Sequence, residues 1–174
     1  MNGWQNDKRW SDKFLPEIKQ ILGLYLIGEP PIEEDQERNT DLIVLKMDAV
    51  RIACRVRRHQ YLERYGDELT IRAGRPSGVK TELTKIIEGW GDYIFYGFSN
   101  IDETALEQWF LGCLKAFRLW YMSELAKCNA MNFPGQKKCN GDNSSFFYSF
   151  KCHEIPNFIK AKRPHENPIP RTKG

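Results

Sequence analysis

The pattern of apolar and polar residues in the first half of the chain predicts one helix followed by three strands. Residues 11–27 carry apolar side chains at helical spacing, namely Leu15, Ile18, Leu22, Tyr25 and Leu26. A polar connection with two prolines follows, after which the pattern changes to short segments rich in β-branched residues. These segments predict strands over residues 41–46, 50–58 and 68–72, with a loop or short helix over 59–67.

The second half of the chain predicts two helices and a late strand. An apolar stripe follows the breaker cluster at residues 73–78 and predicts a helix with Val79, Leu83, Ile86, Ile87, Trp90 and Ile94 on one face. Asn100 and Glu103 resemble a capping box, which predicts a long helix over about 101–127. A loop over 128–145 then leads to an aromatic strand at 146–151. This order favours an α/β or α+β fold with a small central mixed β-sheet flanked by helices.

The strand predicted at residues 50–58 carries arginines on one face. Because strand side chains alternate, Arg51, Ala53, Arg55 and Arg57 share a face, while Val50, Ile52, Cys54 and Val56 share the other. A buried sheet face accepts several arginines only where they meet something negative, and phosphate is the simplest candidate. The pattern therefore favours a protein that handles nucleic acid.

The distribution of charge supports this hypothesis more than its total does. The 174 residues carry a net charge of only +3, but residues 51–80 hold eight Lys or Arg side chains against three acids. Residues 29–41 are strongly acidic instead. An acidic segment close to a basic one suits a metal-dependent nucleic-acid site, and it is also compatible with an ordinary mixed surface.

The order of elements resembles the PD-(D/E)XK nuclease superfamily, which has the restriction-endonuclease-like fold. The resemblance spans about residues 11–98. Glu17 corresponds to the acidic residue that the family often has in its first helix, and TDLIVL at 40–45 is similar to the strand with the motif aspartate, here Asp41. The resemblance implies a DNA endonuclease that uses Mg²⁺ or Mn²⁺ held by Asp41 and Glu17.

The second motif of that family is altered in this chain. The strand that should carry Glu-x-Lys has Ala53-Cys54-Arg55, and alanine cannot bind a metal. Under one hypothesis Arg55 keeps the cationic role and Glu82 supplies the displaced carboxylate as a third metal ligand, with Glu88 and Glu63 as alternatives. Under the other hypothesis the fold only binds DNA, because arginine clamps phosphate well and accepts protons poorly.

Further basic and aromatic residues are candidates for contacts with nucleic acid. The predicted phosphate-binding side chains are Arg51, Arg57, Arg72, Arg75 and Lys80. Trp90 has two interpretations: core packing, which its place on the apolar stripe favours, or stacking on a base. Asp92 is expected to pair with Arg55 or Arg72.

Three expectations concern the protein as a whole. Length and composition predict one domain over 1–150, which the resemblance implies is nuclease-like, and a basic, proline-rich tail over 151–174. They predict no membrane-spanning run and no signal peptide. The cysteines are expected to be reduced thiols in the cytoplasm, and their long spacings disfavour a zinc site. A homodimer, or a protein-interaction module with Trp109 and Trp120 on the 101–127 helix, stays open as an alternative.

Overall fold

The computed structural model describes residues 3–23, 27–28, 43–44, 50–74, 78–128, 133–139 and 145–163. Its helices are α1 (Gly3–Asp12), α2 (Leu15–Gly23), α3 (Leu62–Tyr65), α4 (Glu82–Ile87) and α5 (Leu114–Lys127). Its strands are β1 (Ile27–Gly28), β2 (Ile43–Val44), β3 (Ile52–Arg57), β4 (Glu68–Gly74), β5 (Tyr93–Ser99), β6 (Leu106–Cys113), β7 (Gln136–Cys139), β8 (Phe146–Lys151) and β9 (Ile159–Lys162). Short 3₁₀ turns cover His59–Tyr61 and Cys152–Glu154.

Two main sheets flanked by helices define an α+β architecture, which confirms the predicted mixture of helices and strands, but the single central sheet of the prediction is divided in two. The first has the order β3-β5-β6-β9, with β3 parallel to β5 and the other pairs antiparallel. The second is antiparallel, in the order β4-β8-β7. Strand β2 pairs with β1 instead of joining β3. In the described chain, the strand assigned to the motif aspartate and the strand assigned to the altered Glu-x-Lys motif therefore lie in separate sheets.

The helix predicted from Val79 to Ile94 is wrong over its second half. Helix α4 ends at Ile87, and strand β5 begins at Tyr93. The error has a physical cause, because β5 is buried on both faces. Phe95 packs in one core, whereas Tyr96 and Phe98 pack in the other. Such a strand has a continuous apolar run without the alternation that distinguishes a strand from a buried helix.

The helix predicted over 101–127 is also wrong in its first half, which forms strand β6. Asn100 and Glu103 do not cap a helix. Asn100 instead closes the turn between β5 and β6: its Oδ1 accepts hydrogen bonds from the backbone N–H groups of Thr104 (2.8 Å) and Ala105 (3.1 Å). An asparagine side chain that bonds nearby backbone groups is common to helix caps and tight turns, so the local sequence does not separate the two.

Three further boundaries differ from the sequence prediction. The first helix is two helices, α1 and α2, which are separated at Lys13 and Phe14. The loop predicted over 128–145 contains strand β7. Within the segment predicted as a tail, residues 159–162 form β9 at the edge of the first sheet, and residues 164–174 lie outside the described chain.

The first sheet separates two hydrophobic cores. On one face, Phe14 and Ile18 of α1–α2 pack with Val56, Phe95 and Trp109. The opposite face packs against the second sheet, α4 and α5. No helix in the described part of the chain is long and apolar enough to cross a membrane.

The interaction surface predicted around Trp109 and Trp120 is not exposed. Trp109 lies in strand β6, is 7% exposed and stacks on Phe95 with ring centroids 5.5 Å apart. Trp120 is half-buried on α5 and packs against Phe150, with the ring centroids 6.0 Å apart. Both indoles therefore contribute to the cores, which corrects their assignment to a dimer face.

Glu103 ties the turn after β5 to two other elements. Its carboxylate accepts hydrogen bonds from Trp10 Nε1 in α1 and from Arg58 at the end of β3, each 2.5 Å long. These two hydrogen bonds are the main reason that the pKa of Glu103 is lowered, and the charges of Arg58 and Lys13 add to the effect. Its backbone is left-handed, with φ 54°.

Replacement of Glu103 by Gln is expected to lower the melting temperature by a few degrees at pH 7 and to have a smaller effect near pH 3. Because folding lowers the pKa of this carboxyl, its stabilising contribution is present above the unfolded pKa of about 4.3 and is lost as pH falls through the folded pKa. Thermal unfolding of wild type and Glu103→Gln at both pH values measures the effect. The exposed neighbour Asp102→Asn is the control, and an equal loss at both pH values would contradict the prediction.

Candidate functional site

The arginines of β3 meet groups of the protein itself on the inner face of the first sheet. Arg55 donates to the carboxylate of Glu82 (2.9 Å) and to the backbone oxygen of Thr70 (2.5 Å). Arg57 donates to Thr70 Oγ1 (3.1 Å) and, at 3.5 Å, to the hydroxyl of Tyr96. These five residues form what we call the β3 arginine network. Groups of the protein itself therefore provide the partners for these arginines that the sequence analysis expected from phosphate.

The electrostatics of the network keep Arg55 charged. Burial lowers the pKa of the Arg55 guanidinium, but the charges of Glu82 and Tyr96 and the hydrogen bond to Glu82 together raise it above its ordinary value. A guanidinium in this state donates hydrogen bonds to anions and does not accept a proton. Arg55 is therefore suited to charge stabilisation and not to general-base catalysis.

A basic cleft of about 520 Å³ opens beside the network. It lies at the start of β3, where β4, α4 and the turn before β5 converge. Five cationic side chains line it, contributed by Arg51, Arg55, Arg72, Lys80 and Lys85. Among its described lining residues, Glu82 is the one acid. We call this feature the basic cleft.

Acidic groups near the basic cleft offset only part of its charge. Glu82 pairs with Arg55, and Glu88 pairs with Lys80 at 2.6 Å on the rim. Asp92 accepts a hydrogen bond from the backbone N–H of Arg51 at 2.8 Å, which fixes the start of β3 against the turn before β5. Among the described residues, the cations of the cleft still outnumber these acids, so the cleft attracts anions.

The structure brings together five of the residues selected from the sequence. Arg51, Arg55, Arg72, Lys80 and Glu82 all line the basic cleft. The sequence separates Arg51 from Glu82 by about thirty residues, and the parallel pairing of β3 with β5 places α4 beside β3.

Two other predicted site residues, Glu17 and Arg57, lie elsewhere, and two are not among the described residues. Glu17 belongs to α2 on the opposite face of the first sheet, where its carboxylate accepts the backbone N–H of Leu106 at 2.9 Å. Arg57 is half-buried, with its guanidinium 4.4 Å from the ring of Tyr61. Asp41 and Arg75 lie outside the described residues.

Sequence reasoning missed or misjudged two residues of the basic cleft. Lys85 was not selected, although its place on the polar side of α4 is visible in the sequence. Trp90 does not pack in the core, as its place on the apolar stripe favoured, because α4 ends before it and leaves its side chain 63% exposed. Gly89, a helix-stopping residue directly before the tryptophan, could have indicated from the sequence that the helix ends before Trp90.

The described residues contain no ready metal centre. No group of three His, Cys, Asp or Glu side chains in this part of the chain is placed to hold a metal ion. The Oε2 atom of Glu82 already accepts hydrogen bonds from Arg55 and from the backbone N–H of Arg72 (3.3 Å). A metal bound at this oxygen would compete with both donors, and Asp41 is the expected second ligand.

A second cleft, of about 710 Å³, lies beside β6 and β9 and has a mixed electrostatic character. It combines His153, Lys162 and Arg163 with Asp67 and Glu107. Arg163 donates to the backbone oxygen of Glu107 at 3.0 Å, and burial raises the pKa of the Cys152 thiol to about 12. Without a nucleophile or a clear excess of charge, this cleft is a weaker candidate than the basic cleft.

Comparisons of the chain with models of protein families, with curated proteins and with solved structures gave no match. The geometry of the basic cleft and its excess of cations suit an anionic ligand.

Replacement of Glu82 by Gln is expected to reduce the free energy of unfolding by about 1 kcal/mol. This value is near the upper end for exposed ion pairs, because the side chains of Arg55 and Glu82 are only 30% and 31% exposed. Urea unfolding at neutral pH measures the effect. Glu88→Gln is the matched control, because its partner Lys80 is 63% exposed, and a change below about 0.5 kcal/mol is expected. Equal losses in the two variants would show that the β3 arginine network does not depend on Glu82.

Proposed function

We propose that this protein binds nucleic acid through the basic cleft. The observation that supports the proposal best is the convergence of five cationic side chains from β3, β4, α4 and the segment before α4 on one cavity. Cations that neutralise backbone phosphates supply most of the affinity of non-specific binding to nucleic acid. The family resemblance favours DNA as the ligand.

The hydrogen bonds around Arg55 suit the recognition of phosphate. Thr70 and Glu82 hold its guanidinium in place before a ligand arrives, so little side-chain entropy is lost on binding. Glu82 acts as an internal counter-ion that a phosphate oxygen replaces or accompanies. Exposed lysines at the rim, Lys80 and Lys85, add contacts that depend on salt concentration.

Charge reversal at the cleft is expected to weaken binding more than the same change at a remote site. Lys85→Glu should lower affinity for fluorescein-labelled DNA at least several-fold and reduce the slope of log affinity against log salt by about 1. Fluorescence anisotropy over a salt series measures both quantities.

Lys160→Glu is the matched control for Lys85→Glu. Lys160 is an exposed lysine on β9, at the edge of the first sheet farthest from β3. Both variants change the net charge equally, so a general loss of attraction affects them alike. Equal weakening by the two substitutions, or no binding by wild type at low salt, would overturn the proposal.

Metal-dependent DNA cleavage is a second candidate function, in line with the PD-(D/E)XK resemblance. The observation that favours it is the position of Glu82 beside Arg55, since Glu82 is the carboxylate expected to replace the missing motif glutamate. In that case Glu82 and Asp41 would hold Mg²⁺ or Mn²⁺, and Arg55 would stabilise the charge that develops on the phosphate.

The same Glu82→Gln variant separates the two candidate functions. If Glu82 is a metal ligand, cleavage of supercoiled plasmid with Mg²⁺ or Mn²⁺ is expected to fall at least a hundredfold in Glu82→Gln and in Asp41→Ala. If Glu82 is only a counter-ion, wild type does not cut, and Glu82→Gln binds DNA more tightly because Arg55 loses its internal competitor. Cleavage that persists in both variants or with a chelator would exclude this metal site.

A further inference from the structure

Trp90 is a large apolar side chain that the fold leaves in solvent. Its side chain is 63% exposed, and it lines the basic cleft beside the cations. What distinguishes this exposed side chain is its position beside cations, where an aromatic ring can stack on a base. The exposure needs an explanation from the local backbone.

The backbone at the end of α4 explains it. Gly89 has φ 96° and donates to the backbone oxygen of Ile86 (3.1 Å), and Trp90 donates to that of Lys85 (3.0 Å). This is the hydrogen-bond pattern of a Schellman motif, in which the residue at the position of Trp90 normally packs against an apolar residue at the position of Lys85. Because a lysine stands there, the usual apolar contact is not available to the indole.

The segment that carries Trp90 is held firmly. Gly91, with φ 79°, follows it, and Arg118 of α5 donates to the backbone oxygens of Ile86 (3.3 Å) and Gly91 (3.1 Å). The backbone on both sides of Trp90 is thus tied to the body of the protein. The indole is presented on a fixed support, which reduces the entropy lost when a flat ligand stacks on it.

We infer that the basic cleft takes single-stranded nucleic acid, with one base stacked on Trp90 and the neighbouring phosphates held by the cleft's cations. The inference rests on the proposed function and adds that the bound nucleic acid is single-stranded. A cationic groove with an exposed aromatic is the combination that binds single strands, because every base has a π face. Inside a duplex those faces are covered by adjacent base pairs, so Trp90 contributes nothing to duplex binding.

The experiment compares strand classes and variants by fluorescence anisotropy. The probes are a fluorescein-labelled oligothymidylate of about eight nucleotides, within the usual site sizes of single-strand-binding domains, and a labelled hairpin duplex. Wild type is expected to prefer the single strand. Trp90→Ala should lower affinity for it by about 5- to 100-fold and leave duplex affinity unchanged, while Trp90→Phe should restore part of the loss.

Control measurements distinguish a loss of stacking from a loss of folded structure and from a failure of the proposed function. Met122→Ala removes an apolar side chain of similar exposure, 52%, from α5 and is expected to change neither affinity. Stacking should also quench tryptophan emission in wild type and not in Trp90→Phe. If Lys85→Glu weakens binding while Trp90→Ala does not, the inference fails and the proposed function stands.

Two other results would overturn the inference. Equal affinity of wild type for the single strand and the hairpin would mean that only phosphates are recognised. Competition by thymidine monophosphate as effective as that by the oligothymidylate would make the cleft a nucleotide site instead of a strand site. If wild type binds neither probe at low salt, both the proposed function and the inference are wrong.

Discussion

The fold depends on protein groups that satisfy the hydrogen bonds of two arginines between its sheets. Arg55 and Arg57 point from β3 toward β4 and α4, where Thr70 of β4 accepts hydrogen bonds from both and Glu82 of α4 accepts one from Arg55. A guanidinium removed from water without such partners would cost several kcal/mol. Because Thr70 also bonds the buried hydroxyl of Tyr96 at 2.6 Å, the network joins β3, β4 and β5 and fixes how the two sheets meet. The relative position of the sheets then determines where α4 lies.

The basic cleft is a consequence of this arrangement. Glu82 anchors the first turn of α4 to Arg55, so the polar face of α4 with Lys85 is turned toward the start of β3. The Schellman motif at the other end of α4 then carries Trp90 to the rim. One short helix thus supplies the internal counter-ion, a rim cation and the exposed aromatic. A change that displaces α4 would alter all three together.

Elements with a clear alternating pattern were predicted correctly, and elements buried on two sides were not. Strand β3 and strand β4 show a polar or charged face, and both were found. Strand β5 has apolar neighbours on both faces, so its sequence resembles a buried helix. The turn at Asn100 was mistaken for a helix start because its side chain makes the same local hydrogen bonds in both settings.

The sequence by itself determined that one strand carries arginines on a single face and that basic residues concentrate between positions 51 and 80. It also selected Glu82, but as a metal ligand, and it assigned the pairing with Arg55 or Arg72 to Asp92. In the structure Arg55 pairs with Glu82, and Asp92 accepts the backbone N–H of Arg51 instead. Only the tertiary structure decided that Arg57 lies between the sheets, that Arg51 opens into the cleft, and that Trp90 faces solvent. The physical reason is that alternation assigns a side chain to a face of its strand. What lies opposite that face depends on β4, α4 and β5, which pack there from later parts of the chain.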